Sequence, residues 1–284
     1  MNNRQKRLIS GIVLAILLVG VWALMFTPFI DIVMAALAGA ACYEIMKVAG
    51  VKNLALRVSG ILFAVVLPLG IVYTARFPIS LLCMIYVLYL VILTVTNHED
   101  IKFEHLAVTV YASFIIPIAF STVSLIADSY KLYDDVDKPE CAFLLFMSIA
   151  SALLTDVFAY EVGSRIGKHK MTPVLSPKKS WEGAIGGIVL VTLFMLLALV
   201  VFNHFFANKA FFLPVWAFIL ITIALSILSM FGDLMASLIK RNYGVKDYSN
   251  LIPGHGGIMD RFDSVVVVAP TLYVLISIYE LMVA

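Results

Sequence analysis

The chain has 284 residues, 62% of them hydrophobic and 13% charged, with a mean hydropathy of +1.03. Soluble domains carry about 25% charged residues, so this composition excludes an ordinary soluble globular protein and predicts a polytopic membrane protein. The net charge of +2 says little by itself. Its distribution along the chain is informative, and no nucleic-acid partner is expected.

The start, Met1–Arg7, is polar and basic, and Leu8–Phe26 follows as 19 residues without a charge. That length is enough to span a bilayer with little tilt. It exceeds the usual core of a secretory signal, so an uncleaved anchor is expected. Further apolar runs cover Phe29–Ala49, Val58–Ala75, Ile79–Thr96, Leu106–Ala127, Ala142–Gly163, Gly183–Phe206, Leu213–Ile239 and Ser264–Val283. Open strands leave edge groups unpaired in lipid, and a barrel would show short alternating segments. The expectation is therefore an all-α fold of about nine transmembrane helices. Glu44, near the end of the second run, is read as structural, snorkelling or facing an interface.

Nine spans alternate the connecting segments between two sides. Sixteen of the 20 Lys and Arg residues then fall on the side of the N-terminus. The positive-inside bias makes that side cytoplasmic. The segment Asp128–Glu140 on the other side is rich in acids but lacks the EF-hand spacing, and it reads as a solvated loop. Cys42, Cys83 and Cys141 are scattered, with no C-x-x-C, and imply neither zinc nor a disulfide framework.

Two polar blocks interrupt the second half. The chain divides on this basis into N-terminal membrane helices, 1–140, and a catalytic membrane region, 141–284, carrying blocks 156–183 and 233–263. In the first block Asp156, Tyr160 and Gly163 share one helical face. An acid inside a span is by default a functional-site hypothesis. In S-P-K-K-S-W-E-G, Ser176 is expected to cap a helix with Pro177 as its first residue. Lys178 and Lys179 would then stand at a positive helix end, suited to an anion.

The second block, Ser237–Asp263, holds the densest charge in the chain. Asp233, Ser237, Lys240 and Arg241 lie at i, i+4, i+7 and i+8, on one face if the preceding helix continues. Pro253 stops regular structure, and Gly254, Gly256 and Gly257 permit turns whose bare N–H groups suit a phosphate. Asp260 and Asp263 are then expected on the opening turns of the last helix, both pointing one way. Carboxylates beside a phosphate pocket suggest Mg²⁺, which takes one or two protein oxygens.

The run K-R-x4-K-D followed by P-G-H-G-G-I-M-D-R-F-D resembles the signature of the phosphatidate cytidylyltransferase (CDP-diacylglycerol synthase) family, continuously from Ser237 to Asp263. The block Asp156–Gly183, with S-P-K-K-S-W-E-G, resembles the same family's nucleotide and phosphate site. One departure is Ala236, where the family usually has Glu in G-D-L-x-E-S. The resemblance implies conversion of CTP and phosphatidate to CDP-diacylglycerol and pyrophosphate at the cytoplasmic face of a cell membrane. Asp233, Asp260, Lys240, Arg241, Lys246 and Asp247 are the catalytic candidates. Ser176, Lys178, Lys179, Ser180, Ser237, His255, Gly256, Gly257 and Arg261 are the substrate-binding candidates. Mg²⁺ is assigned to Asp233 and Asp260, with Asp263 a weaker ligand and Asp156 a further candidate. A second cation, K⁺ or another Mg²⁺, extends that scheme.

The rival readings are a CTP-dependent lipid kinase and a transporter of an anionic substrate. A transporter would favour midplane polar residues on broken helices and related halves, whereas here the polar residues cluster at one face. Membrane lipids are the expected surroundings. A homodimer is a further expectation, with no G-x3-G pattern that decides its interface.

Overall fold

The computed structural model describes residues 19–73, 78–206, 211–252 and 256–283. Eight helices among them are long and apolar enough to cross a membrane. They correspond to eight of the nine expected runs, and residues 8–18 of the first run lie outside the described residues. The apolar windows mark the lipid-soluble part of each helix, while polar turns extend several helices beyond them. The run expected at Ala142–Gly163, for example, is helical over Lys138–Ile166. The chain forms two compact units, each assembled from separate stretches.

Unit one comprises residues 1–124 and 242–262. Its helices are α1 (Phe29–Val48), α2 (Leu54–Tyr73), α3 (Ile79–Thr96) and the part of α4 (Phe103–Ala127) that ends at Ser124. Small residues on α1 allow tight packing on α2. A Cβ at Gly39 would lie 2.5 Å from Val65 Cγ2, so a larger residue there would force the helices apart. Gly50 follows α1 in the left-handed region at φ 70°, and Asn53 accepts the Leu56 N–H at 3.0 Å to open α2. Phe63 stacks on Tyr86 with centroids 3.8 Å apart, and the Tyr86 hydroxyl donates to Ser113 Oγ at 3.2 Å. Ser113 lies in a π-helical segment, Tyr111–Ile115, within α4.

Unit two comprises residues 125–241 and 263–284. It contains α5 (Lys138–Ile166), a hairpin of β1 (Lys170–Thr172) and β2 (Ser176–Ser180), α6 (Trp181–Phe205), α7 (Val215–Asn242, whose last residue falls in unit one) and α9 (Val265–Val283). The one-turn helix α8 (Met259–Phe262) belongs to unit one. Helix α5 opens with a reciprocal capping box between Asp137 and Glu140. Glu140 also accepts the Phe212 N–H at 3.1 Å and is 1% exposed. The segment read as a wholly solvated acidic loop thus ends in a buried acid, because that carboxylate satisfies two otherwise orphaned amides.

Glycines bring α5 and α6 together. Gly163 and Gly167 on one side, and Gly183 and Gly187 on the other, have G-x3-G spacing. A Cβ on Gly183 would meet the Ala159 carbonyl at 2.5 Å, and one on Gly187 would meet Ala159 Cβ at 3.0 Å. The pattern therefore exists, and it joins two helices of the same chain.

Two local expectations need correction. Ser176 does not cap a helix. Residues 176–180 form β2, paired antiparallel with β1 in the register Lys170↔Ser180 and Thr172↔Ser176. The cap is Ser180, whose hydroxyl accepts the Gly183 N–H at 3.2 Å, and α6 starts at Trp181. Proline is tolerated at the edge of such a short hairpin, which explains why Pro177 does not mark a helix start. Asp260 and Asp263 are likewise not on the opening turns of the last helix. Asp260 lies in α8, and Asp263 precedes α9.

Candidate functional site

The site in unit two is built where α5, β2 and α7 converge. A cavity of about 290 Å³ is lined by Asp156 and Tyr160 from α5, Ser176, Lys178 and Lys179 from β2, and Asp233 from α7. Ser180, Met171, Ala159, Ala184 and Met230 complete its wall. The α5 residues are one helical turn apart, as their spacing predicts. The hairpin places Lys178 and Lys179 by strand alternation, which sends successive side chains to opposite faces. Lys178 is exposed, whereas the Lys179 side chain is only 19% exposed.

Lys179 is the electrostatic centre. Its Nζ lies 2.6 Å from Asp233 Oδ2 and 3.5 Å from Asp156 Oδ1. Asp156 Oδ1 and Lys179 Nζ are both buried and, among the described residues, make no hydrogen bond of good geometry. The ammonium thus compensates two carboxylates chiefly through its charge. Asp263 stands within electrostatic reach of Asp233, Asp156 and Lys240. Burial, and then the charge of Asp233, push its carboxyl up to about 7, against the opposing pull of the Ser264 amide and Lys240.

Gly232 explains how Asp263 reaches this position. A Cβ at Gly232 would lie 2.8 Å from the Asp263 carbonyl and 3.0 Å from Ser264 Cα. The absent side chain lets the start of α9 approach α7 next to Asp233. Ser264 donates to the Ser229 carbonyl at 3.2 Å, and Ser229 donates to the Ala152 carbonyl at 3.2 Å, linking the start of α9 to α7 and α7 to α5. Glu182 secures the hairpin from the first turn of α6. It accepts the Lys168 and His169 amides at 3.1 and 3.2 Å and contacts His169 Nδ1 at 2.6 Å.

The donor set suits a hard divalent cation. Asp156, Asp233 and Asp263 carry carboxylates, with Lys179 beside the first two and Lys240 acting on the third. Among the described residues no three His, Cys, Asp or Glu side chains form a ready-made metal cage. Mg²⁺ takes one or two protein carboxylates and keeps several waters.

The expected residues divide between the units. Asp156, Ser176, Lys178, Lys179, Ser180 and Asp233 meet at the cavity. Ser237, Lys240 and Arg241 continue along α7 beyond Asp233. Lys246, Asp247, Gly256, Gly257, Asp260 and Arg261 belong to unit one, and His255 lies outside the described residues. Lys246, Asp247 and Arg261 are exposed. Asp260 Oδ2 accepts the Tyr248 N–H at 2.8 Å and the Gly257 N–H at 2.9 Å, so this oxygen shapes the glycine-rich loop. Gly256, at φ 84°, needs the left-handed backbone that glycine permits. Ala236 is 2% exposed, so the small side chain fills an interior position.

Glu44, expected to be structural, is so, but through partners the sequence did not reveal: it is 1% exposed rather than snorkelling, and it accepts the Ile258 and Met259 amides at 3.0 and 2.9 Å. An acid inside an apolar run was the available signal. Its partners lie more than 200 residues away and leave no mark on local periodicity. Gly232 and Glu182 were also passed over, because close backbone approach and hairpin clasping are properties of pairs of elements.

The phosphatidate cytidylyltransferase of Staphylococcus haemolyticus is 46% identical over 125 residues, covering 43% of this chain and 45% of that protein. The enzyme of the same name from Staphylococcus saprophyticus is 46% identical over 123 residues, with the same shares. That of Staphylococcus epidermidis is 37% identical over 155 residues, covering 55% of this chain and 56% of the relative. The chain thus matches about half the length of these curated relatives. The family model described as the cytidylyltransferase family matches residues 5–279, nearly the whole sequence, and the chain belongs to that family.

Proposed function

We propose that this integral membrane protein is a phosphatidate cytidylyltransferase that joins CTP and phosphatidate into CDP-diacylglycerol and pyrophosphate. The observation that carries the reading is the cavity at which Lys178 and Lys179 of β2 meet Asp156 and Asp233. Both substrates are phosphate anions, and the reaction needs cationic groups between them. An oxygen of the phosphatidate phosphate attacks the α-phosphorus of CTP. The bond from that phosphorus to the bridging oxygen of the β-phosphate breaks, and pyrophosphate leaves with the electron pair. The lipid phosphate is already an oxyanion near neutral pH, so no general base is required.

Within this scheme Lys178, exposed at the cavity, binds phosphate oxygens. Lys179 holds Asp233 and Asp156 in place and offsets their charge. Ser176 supplies a hydroxyl, while Tyr160, Met171 and Met230 give the cavity an apolar wall. Asp233, with Asp156 and Asp263, would hold Mg²⁺, which when bound neutralises phosphate charge as a Lewis acid. The protein's own contribution is alignment and preorganised charge. The basic residues favour a cytoplasmic site in a bacterial cell membrane. Lipid then enters from the inner leaflet and nucleotide from solution.

The test is incubation of the purified protein with phosphatidate, Mg²⁺ and each labelled nucleoside triphosphate in turn. CDP-diacylglycerol and stoichiometric pyrophosphate are expected with CTP. Release of CDP with a phosphorylated lipid would instead identify a kinase. Cysteines placed at positions 178 and 246 should both label from the cytoplasmic side, and opposite labelling would overturn the topology.

A further inference from the structure

We infer that Glu44, near the C-terminal end of the sequence-distant helix α1, is a positioning residue that holds the described flanks of the glycine-rich loop, residues 249–252 and 256–259. This inference rests on the cytidylyltransferase reading, because it assigns that loop a part in the reaction. Glu44 is 1% exposed, within a helix of 20 residues that is otherwise almost wholly apolar. Burying a carboxylate in such a place is unfavourable unless its oxygens are satisfied. Among the described residues its partners all come from one loop. Ser249 Oγ donates to Oε1, the Ile258 amide donates to Oε1 at 3.0 Å, and the Met259 amide donates to Oε2 at 2.9 Å.

The arrangement goes beyond a satisfied acid. A Cβ on Gly257 would lie 2.6 Å from both Glu44 oxygens, so the backbone approaches the carboxylate to a distance that only glycine tolerates. Asp260 grips the same loop from within through the Tyr248 and Gly257 amides. An isolated antiparallel bridge pairs Ile252 with Gly256. Two carboxylates therefore draw on four backbone amides, of residues 248, 257, 258 and 259. With both anions engaged, the backbone at residues 248 and 257–259 is held before any substrate arrives, and Gly257 and Arg261 are presented in a defined arrangement. A pair of amides bonded to two different oxygens of one carboxylate requires two acceptors. Glutamine offers one acceptor and turns an NH₂ group toward the other amide.

The experiment compares Glu44→Gln, Glu44→Asp and Ser249→Ala with the wild type in detergent. Hydrogen exchange at the Ile258 and Met259 amides reads the clasp without reference to activity. In Glu44→Gln these amides should exchange at least about tenfold faster, the scale set by roughly 1.4 kcal/mol of lost protection. The other helices should retain wild-type protection. In the cytidylyl-transfer assay kcat should fall about 100-fold while KM for phosphatidate changes little, because the loop's geometry and not general folding is disturbed. Ser249→Ala should lose much less, and adding it to Glu44→Gln should cause no further loss. Glu44→Asp keeps the charge and both acceptors on a shorter stem, so it should recover part of kcat. Unchanged exchange at 258 and 259 in Glu44→Gln would overturn the clasp. Faster exchange with wild-type kcat would overturn the positioning role. If the wild type itself forms no CDP-diacylglycerol, the functional reading fails, while the exchange data still decide the clasp.

Discussion

Replacing Lys179 with Met keeps the length and bulk of the side chain and removes its charge. In the wild type its ammonium lies 2.6 Å from Asp233 Oδ2 and 3.5 Å from Asp156 Oδ1. Two unit charges about 4 Å apart interact by about 4 kcal/mol at an effective dielectric of 20. Removing one partner of a buried pair costs about 3–5 kcal/mol, since the other charge stays behind. The lysine side chain is 19% exposed and those of Asp156 and Asp233 are 39% and 23% exposed, so solvent screens part of this. A loss of about 2–3 kcal/mol is expected, or roughly 5–10 °C in melting temperature. The assay is thermal unfolding in detergent, with EDTA and then with MgCl₂. Because the variant leaves Asp156 and Asp233 without the cation between them, Mg²⁺ should stabilise Lys179→Met more than the wild type. Adding Asp233→Asn should restore part of the loss in EDTA. Turnover should fall by about 100-fold or more, equivalent to roughly 2.7 kcal/mol. Wild-type melting in EDTA, together with wild-type turnover, would refute the view that Lys179 organises the site.

Three further outcomes follow from the same geometry. Asp263 has a raised carboxyl in the folded protein, at about 7, so the folded state holds its proton at pH values where the unfolded chain has released it. In EDTA its contribution must therefore weaken stability as pH rises from the ordinary carboxylate range towards 7; Asp263→Asn should flatten that slope, and a slope unchanged by the substitution would contradict the assignment. Gly232→Ala places a Cβ 2.8 Å from the Asp263 carbonyl and should impair turnover by displacing Asp263 from Asp233, with wild-type kinetics as the contrary result. Ala236→Glu puts a carboxylate at a position only 2% exposed and should lower the melting temperature while changing activity modestly; a gain of a hundredfold, about 3 kcal/mol, would show that an acid is needed there.

The amino-acid sequence by itself determined the membrane-spanning helices, because lipid imposes a simple rule. Some 20 apolar residues in helical form satisfy every backbone group locally, so Ile79–Thr96 is read from the sequence with the same bounds that the structure shows. Asp156 and Asp233 were legible as site candidates for the reciprocal reason, that a carboxylate in or beside an apolar run demands a partner. What pairs with what was decided only by tertiary structure. Lys179 meets Asp233 across 54 positions because a β-hairpin, not a helix cap, carries residues 176–180, and a few residues of strand have too little periodicity to declare themselves. Glu44 meets Ser249 across 205 positions, and Gly232 faces Asp263 because two helices close on a missing side chain. Such contacts depend on how whole helices pack. Their energies are shared between segments far apart in the chain, and no local pattern of residues encodes them.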